Sequence, residues 1–268
     1  MSTPAPVKPQ SLQPPTDHEE QYSLTKILAI WASVTAPMAA LAFLAAPALI
    51  ARTDLHPGLV YWMLMLIGMM WQFVVSLVVL RHELGSLNWR GVKERIRLNS
   101  PRDTKTGHSR QRLWWWVLPA IGANGLGLYL GSLLDTVWSG WLPGLQEPTY
   151  TQIEGMANPT FQGQWWILGL ALTSCLFNYL LGEELLFRGV LLPKMNGVFG
   201  RWDWVANTIL FGLYHLHKIW FLPSIILSSF GISWAAKRYR SLWMGVIVHG
   251  IEGYFIVLIV MVLLGVYP

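Results

Sequence analysis

Two adjacent acids and an arginine, Glu183, Glu184 and Arg188, stand inside an apolar stretch long enough to cross a bilayer. A charged side chain at the centre of a membrane helix costs about 2.5–3.5 kcal/mol or more, so a chain retains one only where a partner or water receives it. Intramembrane ionisable residues therefore mark functional sites. Two histidines in the following apolar stretches, His215 and His249, are the candidate partners.

The spacing of these residues separates their roles. Glu184 and Arg188 are four apart with the acid first, which favours an ion pair that locks the helix. Glu183 points about 100° away and is free to face a cavity. At about 1.5 Å of rise per residue, Glu183, His215 and His249 fall in one layer near the membrane midplane. A general base beside two imidazoles that hold water and stabilise an oxyanion predicts water-dependent cleavage of an acyl bond.

Composition indicates an integral membrane protein. The 268 residues are 53% hydrophobic and 12% charged, whereas a soluble domain carries about 25% charged residues. The fold class predicted is an all-α polytopic membrane helix bundle. The net charge of +5 comes from basic residues between apolar segments, so no nucleic-acid partner is expected; the partners are the lipid bilayer and a membrane substrate. The single cysteine excludes an internal disulfide.

About seven transmembrane helices are expected from the apolar segments, at roughly 26–50, 59–80, 113–134, 164–193, 203–219, 220–236 and 242–266. The 203–236 region must make two short passes, with a turn near residues 218–223. Residues 1–25 are polar and Pro-rich and predict a disordered tail. Residues 26–268 are predicted to form a single transmembrane domain whose motifs lie at about 164–266. No signal peptide is expected, so the first span stays as an anchor.

Basic residues set the expected orientation. The 81–112 loop holds nine lysines and arginines and residues 135–163 hold none. The positive-inside rule then places 81–112 and the N-terminus in the cytosol and the C-terminus outside. The short length and compact loops suggest a bacterial plasma membrane.

Three motifs carry a resemblance to a known family. They are Glu183-Glu184-Leu185-Leu186-Phe187-Arg188, then Phe211-Gly212-Leu213-Tyr214-His215, then the segment ending at His249. Over about 165–255 the sequence resembles the CAAX protease and bacteriocin-processing (Abi) family of intramembrane, glutamate-dependent endopeptidases. The resemblance implies a membrane helix bundle with an intramembrane cavity that faces the cytosol. It further implies that Glu183 activates water, assisted by His215 and His249. It also implies supporting roles for Glu184, Arg188 and Phe211, and a membrane-associated or C-terminal peptide as substrate. No cofactor is expected; the alternative is zinc bound by Glu183, His215 and His249.

One position departs from the family pattern. Four residues after the last histidine, where the family has Asn or Asp, this chain has Gly253. Asn178 and Asn207 are the candidate replacement donors. Glu252 is expected to point elsewhere on the helix.

Two alternative functions stay open. Gly253 favours a non-catalytic membrane scaffold or bacteriocin-immunity protein of the same fold. A proton-coupled transporter would also use buried Glu and His residues. Two further polar residues are expected to be structural or solvated: His217 would bond a neighbouring carbonyl, and Asp135 would lie in a solvated external loop.

Overall fold

The computed structural model describes residues 20–144, 146–152 and 158–266, so residues 1–19 of the predicted tail lie outside the described part of the chain. Within those ranges the protein is helical, as predicted, and its extended pairing is one bridge between Arg102 and Ser109. The helices before the motif-bearing region are α1 (Leu24–Ile50), α2 (Pro57–Leu84), α3 (Trp89–Arg95) and α4 (Gln111–Gly140). They are followed by α5 (Trp166–Lys194), α6 (Asp203–Tyr214), α7 (Leu222–Arg238) and α8 (Leu242–Leu264).

Six helical stretches in the described residues are long and apolar enough to cross a membrane, and the fifth, Asn196–Arg238, folds back on itself. Lys218 has a non-helical backbone conformation, φ −126° and ψ 44°, and separates α6 from α7. The two helices then pack antiparallel. At the ends of these helices far from the turn, Asp203 forms an ion pair with Lys237. The predicted turn at 218–223 is therefore confirmed, and the chain runs between the two ends of the bundle about seven times.

Small residues allow α4 and α7 to approach closely. A Cβ added to Gly127 would overlap the backbone of Leu227, and one on Gly231 would lie 2.5 Å from the carbonyl oxygen of Ala120. Close backbone approach at glycines is the usual way in which membrane helices gain packing energy. This contact fixes α7 beside the rest of the bundle.

The basic segments gather at one end of the bundle. The 81–112 loop reaches the connection between α7 and α8, where the amide of Arg102 donates to the carbonyl of Tyr239 at 2.9 Å. At the same end the amide of Tyr22 donates to the carbonyl of Lys194 at 3.0 Å. This arrangement is the one that the loop charges predict, while the exposure of this end to the cytosol stays a prediction.

Asp135 does not lie in a solvated loop as expected. It lies near the end of α4 and is 9% exposed. Its carboxylate accepts from the backbone N–H of Ser224 at 3.1 Å and from the Ser224 hydroxyl. These are groups in the first turn of α7, where the first N–H donors of a helix have no partner of their own. Asp135 thus caps a neighbouring helix.

Candidate active site

The motif-bearing helix α5 is not a regular α-helix. It is π-helical over Phe177–Leu181 and over Leu185–Leu191, on either side of Gly182. The amide of Gly182 donates to the carbonyl of Phe177, five residues earlier, at 2.7 Å. A Cβ at position 182 would lie 2.6 Å from that carbonyl oxygen, so the bend requires glycine. Such π segments are rare and commonly occur at functional sites.

The three residues predicted to act together do meet. The Nε2 atom of His215 lies 3.6 Å from Oε1 of Glu183, and Nε2 of His249 lies 3.9 Å from Oε2 of the same carboxylate. All three side chains are buried, with 4–9% of each residue exposed. We call them the Glu-His-His trio. Either gap between an imidazole and the carboxylate can be bridged by a water molecule about 2.8 Å from both groups.

Each imidazole is held through its other nitrogen. Nδ1 of His215 donates to the carbonyl oxygen of Phe211 at 2.9 Å. Nδ1 of His249 lies 3.0 Å from Oε1 of Glu184 and donates to it. Since both Nδ1 atoms are occupied, both Nε2 atoms face Glu183.

Glu184 does more than lock its own helix. The predicted ion pair is present, with Nη1 of Arg188 donating to Oε1 of Glu184 at 2.9 Å between fully buried side chains. The same oxygen receives His249 from α8. Glu184 therefore couples the orientation of a trio histidine to the charge of Arg188, a role that the spacing alone did not indicate.

Phe211 and Ser233 complete the surroundings of Arg188. The guanidinium carbon lies 4.1 Å from the centre of the Phe211 ring, a cation–π contact. Nη2 donates to the hydroxyl of Ser233 on α7 at 3.3 Å. The edge of the Phe211 ring also meets His215 and His249, with ring centres 4.7 and 5.8 Å apart. The motif phenylalanine thus packs on both histidines.

Gly245 makes room for the Glu184 carboxylate. A Cβ at position 245 would lie 2.5 Å from Oε2 of Glu184 and 3.5 Å from Cγ of Arg188. Gly245 is one helical turn before His249, so any larger residue would push Glu184 away from its partners. In the sequence, the feature that could have indicated this role of Gly245 was its position four residues before His249.

Glu252 does not point away from the site, contrary to expectation. Its Oε2 lies 3.8 Å from Nε2 of His249, and its side chain is 39% exposed. The reason is local: residues Ile251–Tyr254 form a 3₁₀ turn within α8. In this tighter helix residues three apart lie on the same side. Gly253 is turned instead toward the ring of Tyr179, 3.9 Å from its Cβ position.

Of the two candidate replacement donors, one is beside the trio. With its amide nitrogen turned toward the carboxylate, Asn178 donates to Oε1 and Oε2 of Glu183 at 3.2 and 3.0 Å. The π-helical turn makes this possible because its bonding brings residues five apart together. Asn207 instead donates to the carbonyl of Phe187 at 2.8 Å and accepts from Ser233. Asn207 ties α5 to the α6–α7 hairpin.

Arg95, from the basic loop, binds the C-terminal part of α5. From the sequence it counts only among the basic residues that set the membrane orientation. Arg95 is buried, and its guanidinium donates to Glu83 at 2.8 Å and to Tyr22 at 3.1 Å. It also donates to the carbonyls of Gly189 and Val190, both at 3.1 Å, in the second π segment. Arg95 therefore joins the N-terminal helices to the helix that carries Glu183.

The exposed neighbours of the trio lie away from the basic end. Residues 182–195, which lead from Glu183 to that end, are buried throughout. Lys218 is exposed and Glu252 is partly exposed, both beyond the trio on the other side. The side on which a cavity opens stays a prediction.

The donor set was also compared with the requirements of zinc. The described residues contain no group of three His, Cys, Asp or Glu side chains arranged to hold a metal ion. Ligands at about 2.0–2.2 Å from one tetrahedral zinc ion lie about 3.3–3.6 Å from each other, so the Nε2 to carboxylate distances of 3.6 and 3.9 Å are compatible with a bridging water and with a bound ion. Zinc held by Glu183, His215 and His249 therefore stays the alternative to the metal-free interpretation, and no step below uses a metal.

Comparison with known proteins gives one match. Residues 163–255 match the family model described as type II CAAX prenyl endopeptidase Rce1-like. No curated protein and no solved structure matches the chain. The matched segment includes the whole trio, Glu184, Arg188 and Phe211. The resemblance that the three motifs indicated is thereby confirmed: over residues 163–255 this integral membrane protein is similar to the Rce1-like CAAX endopeptidases.

Proposed function

We propose that this protein is an intramembrane endopeptidase that hydrolyses a peptide bond of a membrane-associated or C-terminal peptide through a water activated by Glu183. One observation carries the proposal. Two imidazole Nε2 atoms face a single buried carboxylate at 3.6 and 3.9 Å, and each ring is fixed through Nδ1. The match to a protease family supports a peptidase role in general.

The proposed reaction starts with the bound water. Glu183 takes one proton from the water while the water oxygen attacks the carbonyl carbon of the peptide bond. His215 is neutral and donates through Nδ1 to the carbonyl of Phe211. Its Nε2 accepts a hydrogen bond from the remaining O–H of that water and so orients the water. The carbonyl oxygen becomes an oxyanion in the tetrahedral intermediate.

The same groups finish the reaction. In its protonated form His249 donates through Nε2 to the oxyanion, and the carboxylates of Glu184 and Glu252 balance the charge of the ring. Asn178 provides the amide donor that Gly253 lacks. Glu183 then gives its proton to the amide nitrogen as the C–N bond breaks. One peptide and one water yield a carboxylic acid and an amine, and the acid then passes its proton to the amine to give a carboxylate and an ammonium group.

This scheme is metal-free and involves no cofactor. Its setting is a bacterial plasma membrane, with the N-terminus in the cytosol and the C-terminus outside, and its partners are the lipid bilayer and a peptide or protein substrate. The scaffold or immunity alternative keeps the support of Gly253, and the same experiment decides between them.

The test compares membrane-proteome termini in cells that carry the wild-type protein or Glu183→Gln. We expect a set of new peptide termini with the wild type and none with the variant at equal protein level. The exposed Glu94→Gln, whose side chain is 72% exposed, is the matched control and should keep the wild-type termini. Identical termini in all three strains would reject the endopeptidase and favour the scaffold.

A further inference from the structure

A group of buried polar side chains lies beside the trio and is not used by the proposed chemistry. Its members have a nitrogen or oxygen without a hydrogen-bond partner among the described residues: Thr35 Oγ1, Tyr61 OH, Tyr214 OH, His217 Nδ1 and Trp220 Nε1. Each of these residues is 1–7% exposed. Buried polar groups nearly always have a partner, and in a membrane interior an unsatisfied group is especially costly. A cluster of them therefore needs an occupant.

The cluster is continuous with the trio. The rings of Tyr214 and His215 are 4.8 Å apart, and His217 stacks on His215 with ring centres 5.3 Å apart. Tyr214 and Tyr61 belong to the same buried cluster of the interior. The unpartnered atoms of Tyr214 and His217 and the carboxylate of Glu183 thus belong to one polar region of the interior.

Helix α1 adds to the same region. Nε1 of Trp31 donates to the carbonyl of Leu210 at 2.8 Å. Helices α1 and α6 both start at the basic end and run in the same direction, so Thr35, one turn beyond Trp31, is level with Tyr214, one turn beyond Leu210. The polar region is therefore bounded by α1, α2 and the α6–α7 hairpin.

The cluster extends toward the end of the bundle opposite the basic loops. Tyr61 stands in the second turn of α2, and its ring centre is 5.7 Å from that of Tyr150. Glu147 lies near Tyr150 and accepts from the hydroxyl of Thr151 at 3.1 Å. Tyr150 and Glu147 are both partly exposed. A path lined by polar groups therefore leads from that surface, through Tyr61 and Tyr214, to Glu183.

We propose that these residues form a binding pocket for water that supplies the trio from this end of the protein. Water is the ligand that fits hydroxyl, imidazole and indole groups of both donor and acceptor type, and a buried water makes about three hydrogen bonds to such groups. The use of this water in hydrolysis rests on the proposed function, whereas the hydration itself does not. The pocket approaches Glu183 from the side opposite to the predicted cytosol-facing cavity, which separates water entry from substrate entry.

The direct test measures contact between water and the tyrosine rings. Protein labelled with ¹³Cζ-tyrosine in lipid bilayers is studied by water-edited solid-state NMR, and signals are assigned by their loss in Tyr61→Phe and Tyr214→Phe. We expect transfer from water to Tyr61 and Tyr214 at a rate close to that for the partly exposed Tyr150. Transfer no faster than to Tyr129, which is exposed on the membrane-spanning part of α4, would overturn the proposal.

A stability measurement decides independently. If the hydroxyls bind water, Tyr61→Phe and Tyr214→Phe lower the unfolding temperature, since each removes a hydrogen bond. If the pocket holds no water, the same substitutions leave the unfolding temperature unchanged or raise it, since each removes an unsatisfied hydroxyl. Tyr129→Phe is the matched control and should leave it unchanged.

The two proposals fail separately. Water contact at Tyr61 and Tyr214 with unchanged termini in Glu183→Gln would keep the pocket and reject the endopeptidase. Processing that depends on Glu183, with both tyrosines dry, would keep the endopeptidase and reject the pocket.

Discussion

Glu184 and His249 are bonded directly, Oε1 to Nδ1 at 3.0 Å, although they lie 65 residues apart on α5 and α8. The second acid of the Glu-Glu pair therefore acts on the histidine of the last motif and on Arg188 with the same oxygen. Carboxylates that fix an imidazole through Nδ1 set which nitrogen faces the reacting atoms. This bond gives the second acid a structural role that is separate from the general-base role proposed for Glu183.

Glu184→Gln should lower turnover by about 10²-fold or more, because His249 loses its orienting acceptor. It should also lower the free energy of unfolding by about 3–5 kcal/mol, because Arg188 is left as a buried unpaired charge. Turnover and chemical unfolding in detergent check the two effects.

The double variant Glu184→Gln with Arg188→Met separates these effects. Removing both charges should restore most of the stability and none of the activity. Activity that returns together with stability would show that Glu184 is only structural.

Gly245→Ala should displace the Glu184 carboxylate, since its Cβ would lie 2.5 Å from Oε2. We expect a loss of about 1–3 kcal/mol in unfolding free energy, together with reduced activity. Gly250→Ala is the matched control, because a Cβ there meets no atom within 4 Å. Equal behaviour of the two variants would contradict the packing described here.

Arg95→Met should destabilise the protein by about 3 kcal/mol or more, because Glu83 loses its buried partner and the carbonyls of Gly189 and Val190 lose their donor. The exposed Arg90→Met, whose side chain is 91% exposed, should change stability by less than about 0.5 kcal/mol. Thermal unfolding of both variants in detergent makes the comparison. Equal unfolding temperatures would argue against a stabilising role for the hydrogen bonds from Arg95 to α5.

Asp135→Ala should cost about 1–2 kcal/mol, the usual effect of removing a helix cap. The exposed Asp54→Ala serves as control and should cost little. The same unfolding measurement applies, and an Asp135→Ala protein as stable as wild type would contradict the capping role.

Chelation by 1,10-phenanthroline should leave the activity unchanged, and added zinc should not raise it, since the proposed reaction uses only protein groups. A zinc protease assayed in parallel should lose its activity. Inhibition that zinc reverses would overturn the metal-free scheme.

Much of this architecture was predictable from the chain itself. Apolar runs with clustered basic loops predicted the helices and the gathering of the basic segments at one end, because hydrophobicity and loop charge are local properties. The Glu184–Arg188 pair followed from helical spacing, and the meeting of Glu183, His215 and His249 followed from their common depth. The turn near Lys218 followed from the length of the 203–236 region.

Other features depended on departures from the α-helix that no periodicity reveals. Asn178 reaches Glu183 because α5 is π-helical there, and Glu252 reaches His249 because α8 tightens to a 3₁₀ turn. An α-helical wheel places both residues on the wrong side, since it assumes 3.6 residues per turn throughout.

By itself, then, the sequence determined which residues are candidates for the proposed chemistry and that they share one level along their helices, since hydrophobicity, charge and spacing act along one chain. Only the tertiary structure decided that Glu184 holds His249, that Arg95 holds α5, that Asp135 caps α7 and that Gly245 must be small. Each of these is a contact between helices distant in sequence, fixed by how the helices pack and not by the pattern within any one of them.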